Sequence, residues 1–281
     1  MYKTDFDKLH KESELLFHLS IFELKNIVFH LELNESDNSL LSKKYGVLKY
    51  IKKLIPSFDI ISDVSELKHV QTLLTLQRMV VDNYSIIYLL TSFSSKNEQL
   101  LRYYLLLLDG TKSRPKIIEN FSSKSKTNFP TSLINKAKKI QKSDNNATFK
   151  LYELIKQKNL NSLVNENIIN TSNWKFKDSK VKKGKNYYSW TELYKISRIP
   201  ENQAEMFQNY HSNYVHGLGI SLFLNEEDNL LPFVISTLDF CSVIISLILK
   251  ILTKEYPEEI KNIEINENII EFMNLSWNKH S

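Results

Sequence analysis

Glycine and proline are scarce in this chain, with five and six residues in 281. That scarcity limits the fold more than any other feature. Glycine supplies the positive-φ positions of tight turns and proline the fixed φ of type I and II turns, so few sharp reversals can be built. The elements must therefore be long, which argues against a strand-rich fold. With no G-x-G-x-x-G and no G-x-x-x-x-G-K-[ST], the chain also lacks a dinucleotide fingerprint and a P-loop. Its 42% hydrophobic and 25% charged residues are ordinary for a chain that buries a core.

Apolar residues recur at helical spacing over most of the length. Residues 5–33 predict a long first helix, with Phe6, Leu9, Leu15, Leu16, Leu19, Phe22, Ile27 and Leu31 on its apolar stripes. A second helix is predicted over about 39–54, ending before Pro56. A third covers 65–92, N-capped from Ser62-Asp63-Val64-Ser65, and a fourth about 96–113. Later helices are predicted at 148–159, at 190–199 (ended by Pro200), from 201 to about 224, at 230–253 and within 257–278. Residues 112–146 and 161–186 lose the periodicity and fill with Lys, Asn, Ser and Thr. They read as irregular, exposed connections, the first holding one short helix near 131–142 and the second the basic loop Lys180–Lys185. The prediction is a single all-α helical bundle over 1–281.

The net charge of +5 permits an anionic partner without requiring one. One cysteine, Cys241, in an apolar run provides neither a disulfide framework nor a cysteine zinc site. The charged N-terminus, MYKTDFDKLHKESELL, has no apolar core of a signal peptide, and a cytoplasmic location is expected. Leu231–Leu249 approaches the length of a membrane span. Asp239 at its centre would cost about 2.5–3.5 kcal/mol there, and Ser236, Thr237, Ser242 and Ser246 dilute it further. A buried or dimer-interface helix is expected in place of a span. Only four arginines, Arg78, Arg102, Arg114 and Arg198, stand among 33 lysines. Positions that keep arginine are candidates for its planar, two-pronged donor geometry, which lysine cannot copy.

The run Tyr210-His211-Ser212-Asn213-Tyr214-Val215-His216-Gly217 is polar and aromatic inside a helical pattern. Buried polar groups without partners cost about 1–3 kcal/mol, so such a run suggests a pocket wall. Ser212 and His216, four apart, share a helix face; histidine is suited to proton transfer near neutral pH. Arg78 and Asp82 are also four apart, in an apolar helix, and Arg102 precedes Tyr103 and Tyr104 in another. His10, His18, His30 and His69 form no i,i+4 ligand pair and no H-E-x-x-H, so neither a metal nor another cofactor is expected. Ser212 lacks the strand-to-helix elbow of a hydrolase nucleophile.

The order of these residues resembles a bacterial HEPN-like family of unknown function. An arginine with an acid one turn on (Arg78, Asp82) is followed by an arginine-bearing helix (Arg102). A Trp-containing segment (Trp174 or Trp190) and a Ser-x-x-x-His-Gly ending (Ser212, His216, Gly217) come later. The resemblance covers about residues 65–225 and implies a HEPN-like helical bundle that pairs as a homodimer. Many HEPN proteins are metal-independent ribonucleases with an Arg-x4–6-His motif, in which the histidine works on the RNA 2′-hydroxyl and the arginine stabilises phosphate charge. His216 matches that histidine; His211 stands five residues before it, and no arginine lies nearby. The resemblance thus implies catalytic roles for His216, His211, Arg78 and Arg102, and substrate contacts from Asp82, Tyr210, Ser212 and Asn213. Two function classes fit: an RNA-directed nuclease or toxin-type effector, in phage defence or stress response, and a non-catalytic module binding a nucleotide or a partner protein. A buried hydrogen-bond network that only specifies packing is the third reading.

Overall fold

The periodic stretches fold as helices, and several run further than the sequence predicts. The computed structural model describes residues 2–34, 39–67, 69–124, 130–180, 186–206, 230–261, 263, 265–267 and 269–271. Among them every regular element is helical, and the chain is all-α. The helices are α1 (Tyr2–Asn34), α2 (Lys43–Glu66), α3 (Val70–Thr91), α4 (Lys96–Lys124), α5 (Thr131–Gln157), α6 (Glu166–Asn170), α7 (Trp190–Ile196), α8 (Glu201–Met206), α9 (Leu231–Glu255) and α10 (Pro257–Ile260), with a 3-10 turn at Leu160–Leu163. Their contacts form two compact units, one of Met1–Phe93 with Ser189–Ser281 and one of Ser94–Tyr188.

In the first unit α9 lies against α1 and α3. Val234, Leu238, Cys241, Ile244, Ile245, Ile248, Leu249 and Leu252 are wholly buried there. α9 is long and apolar enough to cross a membrane by length and composition, yet most of its side chains are buried within the unit, and Asp239 sits on its exposed side. Of the two expectations for this helix, a buried helix or a dimer interface, the burial of its apolar residues against α1 and α3 matches the first. α2 runs antiparallel to α1, tied by Lys25 to Asp59 (2.6 Å), Lys52 to Glu32, and His18 to Ser62 (3.3 Å). Tyr256, at the start of α10, donates to the Lys44 carbonyl (2.6 Å).

α2 does not stop before Pro56 but passes through it to Glu66. A proline inside a helix costs about 3 kcal/mol. Beyond it Phe58 and Ile61 are wholly buried, each worth about 1.5–3 kcal/mol, so packing outweighs the lost backbone bond. Ser62–Ser65 therefore lie inside α2. The cap of α3 is His69, whose Nδ1 accepts the Thr72 N–H (3.3 Å).

The second unit corrects the reading of residues 112–146 as an irregular connection. α4 continues through Pro115 to Lys124, and α5 covers 131–157 as one helix. The two are antiparallel and held largely by polar pairs: Arg114 with both carboxylate oxygens of Asp144, Gln141 with Glu119 (2.7 Å), and Thr148 with Thr111 (2.9 Å). The polar stretch around Asp144 separates the predicted helices at 131–142 and 148–159, which are in fact one. Residues 164–180 are irregular apart from α6, as predicted, but not simply exposed, because Ile168, Ile169, Trp174 and Phe176 are buried. Residues 181–185 of the basic loop lie outside the described residues.

Arg102 organises that buried segment. Only 1% of its side chain is exposed. Nε and Nη2 donate to Glu98 (3.0 and 2.7 Å), Nη1 to the Trp174 carbonyl (2.9 Å) and Nη2 to the Phe176 carbonyl (3.0 Å). The guanidinium also stacks 3.7 Å from the Phe176 ring centre. Arg102→Ala strips partners from a carboxylate and two carbonyls and is expected to cost about 3 kcal/mol in urea unfolding. Arg102→Lys should not rescue it, since a single ammonium cannot span the three acceptors. A loss under about 1 kcal/mol would contradict this role.

Candidate functional site

Two groupings of polar side chains form in the first unit, both built on α3. The first contains a predicted pair. Arg78 and Asp82 are half-buried on one face of α3. The hydroxyl of the buried Tyr194, from α7, donates a short hydrogen bond to Asp82, and the Arg78 charge is near enough to act on the same phenol. Tyr50 on α2 donates to Asn83 Oδ1 (2.6 Å), one residue on. Burial first, and then the Asp82 charge, pushes the Tyr50 phenol up to about 12 and raises Tyr194 as well. Both phenols remain neutral donors, so this cluster supplies hydrogen bonds and two opposite charges but no tyrosine base.

The second grouping was not predicted. A cleft of about 370 Å³ lies between the C-terminal turns of α3 and α9 and the end of α7. Tyr84, Tyr88, Leu247 and Ile251 form its apolar wall. Arg198, Lys250 and Lys254 bring three cations to it, and Ser92 and Thr253 two hydroxyls. No carboxylate occurs among the described residues that line it. Burial first, and then the Arg198 charge, pushes the Lys250 ammonium down. The Arg198 and Lys250 charges thus act on each other across the cleft.

Local geometry fixes Arg198 at the mouth. The Arg198 and Ile199 N–H groups bond the Lys195 and Tyr194 carbonyls (3.1 and 3.0 Å) after Ser197, the C-cap of α7. This is a Schellman closure, whose C′ residue takes a left-handed backbone and is usually glycine. Here it is arginine, at φ 67°. Such a conformation costs a non-glycine residue on the order of 1 kcal/mol, and an outlier of this kind is a reason to look for function. The turn is clamped to α3 by Tyr84 donating to the Ser197 carbonyl (3.1 Å) and by the Ser85–Ser197 hydroxyl pair (3.0 Å).

The predicted residues thus separate. Arg78 and Asp82 come together with Tyr194. Arg102 belongs to the second unit, with four of its N–H donors engaged there, which leaves it no face for phosphate. Tyr210, His211, Ser212, Asn213 and His216 lie outside the described residues. Among the described residues no group of three or more His, Cys, Asp or Glu side chains converges as a metal site would require. Sequence reasoning missed Lys250 and Lys254, an i,i+4 pair closing the most apolar helix, and Tyr84 and Tyr88, an i,i+4 pair on α3. It had marked Arg198 only as one of four arginines. No protein-family model, curated protein or solved structure matches the chain.

The raised phenols make stability depend on alkaline pH. An unfolded tyrosine releases its proton near pH 10, whereas folded Tyr50 holds it to about 12. The folded state therefore retains protons that the unfolded state loses. This stabilisation is complete below pH about 10 and disappears as pH rises through about 12. The urea midpoint is expected to fall between pH about 9.5 and 11.5, with a shallower fall in Tyr50→Phe/Tyr194→Phe. Equal slopes in the two proteins would contradict it.

Proposed function

We propose that this chain binds a phosphate-bearing ligand, a nucleotide or an RNA phosphate, in the cleft of Tyr84, Arg198 and Lys250. The observation that carries the reading is an arginine accepted in a left-handed glycine position at the mouth of a cleft that holds two further cations. A guanidinium offers phosphate a two-pronged contact, and Lys250 and Lys254, one turn apart on α9, add charge. A cleft of this volume fits a small ligand.

Arg198→Gly separates this reading from a structural one. Glycine relieves the backbone, so the variant should be as stable as the parent or more stable by up to about 1 kcal/mol. Its affinity for nucleoside mono- and diphosphates, measured by calorimetry, should fall at least about 10-fold, the loss of one charged contact. Because Lys250 is pushed down, affinity should also weaken at a lower pH than an ordinary lysine would give. Unchanged affinity in Arg198→Gly would sink the proposal, as would a parent protein that binds none of these ligands.

A second reading is a HEPN-like metal-independent ribonuclease or toxin-type effector acting in the cytoplasm. It is favoured by the meeting of Arg78, Asp82 and Tyr194 in the unit that carries the cationic cleft, and by the sequence match of His216. In it, His216 would move the proton at the RNA 2′-hydroxyl. The parent should then cleave RNA in EDTA and His216→Ala should not; intact RNA with both proteins would exclude this reading and leave the binding module.

A further inference from the structure

α1 has two apolar faces, and the core uses one. Phe17, Leu24, Ile27, Val28 and Leu31 are buried against the rest of the first unit. Leu15, Phe22, Phe29 and Leu33 are 62, 64, 62 and 69% exposed. With half-buried Leu19 and exposed Asn26 they fall at 15, 19, 22, 26, 29 and 33, in alternating steps of four and three residues. That is the a/d seam of a heptad repeat. Large apolar side chains contiguous on a surface mark an interaction site.

The rows beside the seam are engaged within the same copy. On one side His18, Lys25 and Glu32 bond Ser62, Asp59 and Lys52 of α2. On the other, Glu23 accepts the Asn266 N–H (3.3 Å). What α1 offers outward is a straight apolar strip with polar margins.

We propose that α1 pairs with α1 of a second copy, parallel and in register. Two features select this occupant. The first is Asn26, the polar residue of the seam. In-register parallel pairing sets Asn26 against Asn26, so the amides can bond each other, a device that fixes register and two-strandedness in coiled coils. Antiparallel overlap would set Leu15 against Leu33 and Asn26 against Phe22, burying an amide without a partner. The second is extent. At about 1.5 Å per residue the seam runs roughly 27 Å, and with its margins two copies would cover on the order of 1,000 Å², the size a specific interface must reach. Self-association is thereby assigned to α1 and not to α9.

Sedimentation equilibrium of the full chain at tens of micromolar should give twice the 33.0 kDa chain mass. Phe22→Asp/Phe29→Asp should sediment as a monomer with unchanged helix content. Asn26→Cys should crosslink as a dimer on oxidation; the native Cys241 is wholly buried and does not compete. A monomeric parent overturns the proposal, as does a double variant that remains dimeric. If the double variant loses helix content, the crosslink decides: absence of an intermolecular disulfide in oxidised Asn26→Cys overturns the pairing, and its formation upholds it.

Discussion

Burial of α9 is the interaction on which the first unit depends. Eight of its side chains, from Val234 to Leu252, are wholly removed from water, and at about 1.5–3 kcal/mol each they form the largest apolar contribution of any one helix among the described residues. That burial fixes α1 and α3 on either side of it. Everything the site needs follows from this placement. Tyr84 and Tyr88 sit on α3 facing the last turns of α9, and Lys250 and Lys254 emerge where α9 leaves the apolar core. The cations are held by a rigid element whose other residues cannot shift without opening the core.

α7 completes the arrangement from far away in sequence. Its capping box at Ser189 and Glu192 starts the helix, and the closure after Ser197 ends it. Between them Tyr194 reaches Asp82 and, past them, Arg198 reaches the cleft. One seven-residue helix thus serves both polar groupings. The backbone cost at Arg198 is small beside the packing that clamps the turn, which is why the position can hold arginine.

How much of this could be read from the sequence depended on what holds each element. Helices that bury an apolar face, such as α3 and α9, were legible because burial imprints a 3.6-residue period; the extent of α1 was legible too, but of the stripe read on it only Ile27 and Leu31 are buried, whereas Leu9, Leu15 and Phe22 are exposed. α5 was read as two helices, near 131–142 and at 148–159, because the stretch that joins them places Asp144, the buried polar partner of Arg114, where an apolar residue would have continued the period. The end of α2 was misplaced because proline chemistry is local, whereas the burial of Phe58 and Ile61 that overrides it is tertiary. The Arg78–Asp82 pair was visible from its spacing; its tyrosine partner, over a hundred residues on, was not. Arg198 stood out by its rarity, but its role rests on a left-handed backbone at a place where glycine is the expected residue, which spacing does not reveal.

The most direct measurement of the central claim is diffraction from crystals of the chain soaked in tungstate, a heavy tetrahedral stand-in for phosphate. An anomalous peak is expected within hydrogen-bonding reach of Arg198 and Lys250, absent when the Arg198→Gly variant is soaked in the same way. A cleft without a peak in the parent, or a peak of equal height in the variant, would contradict it.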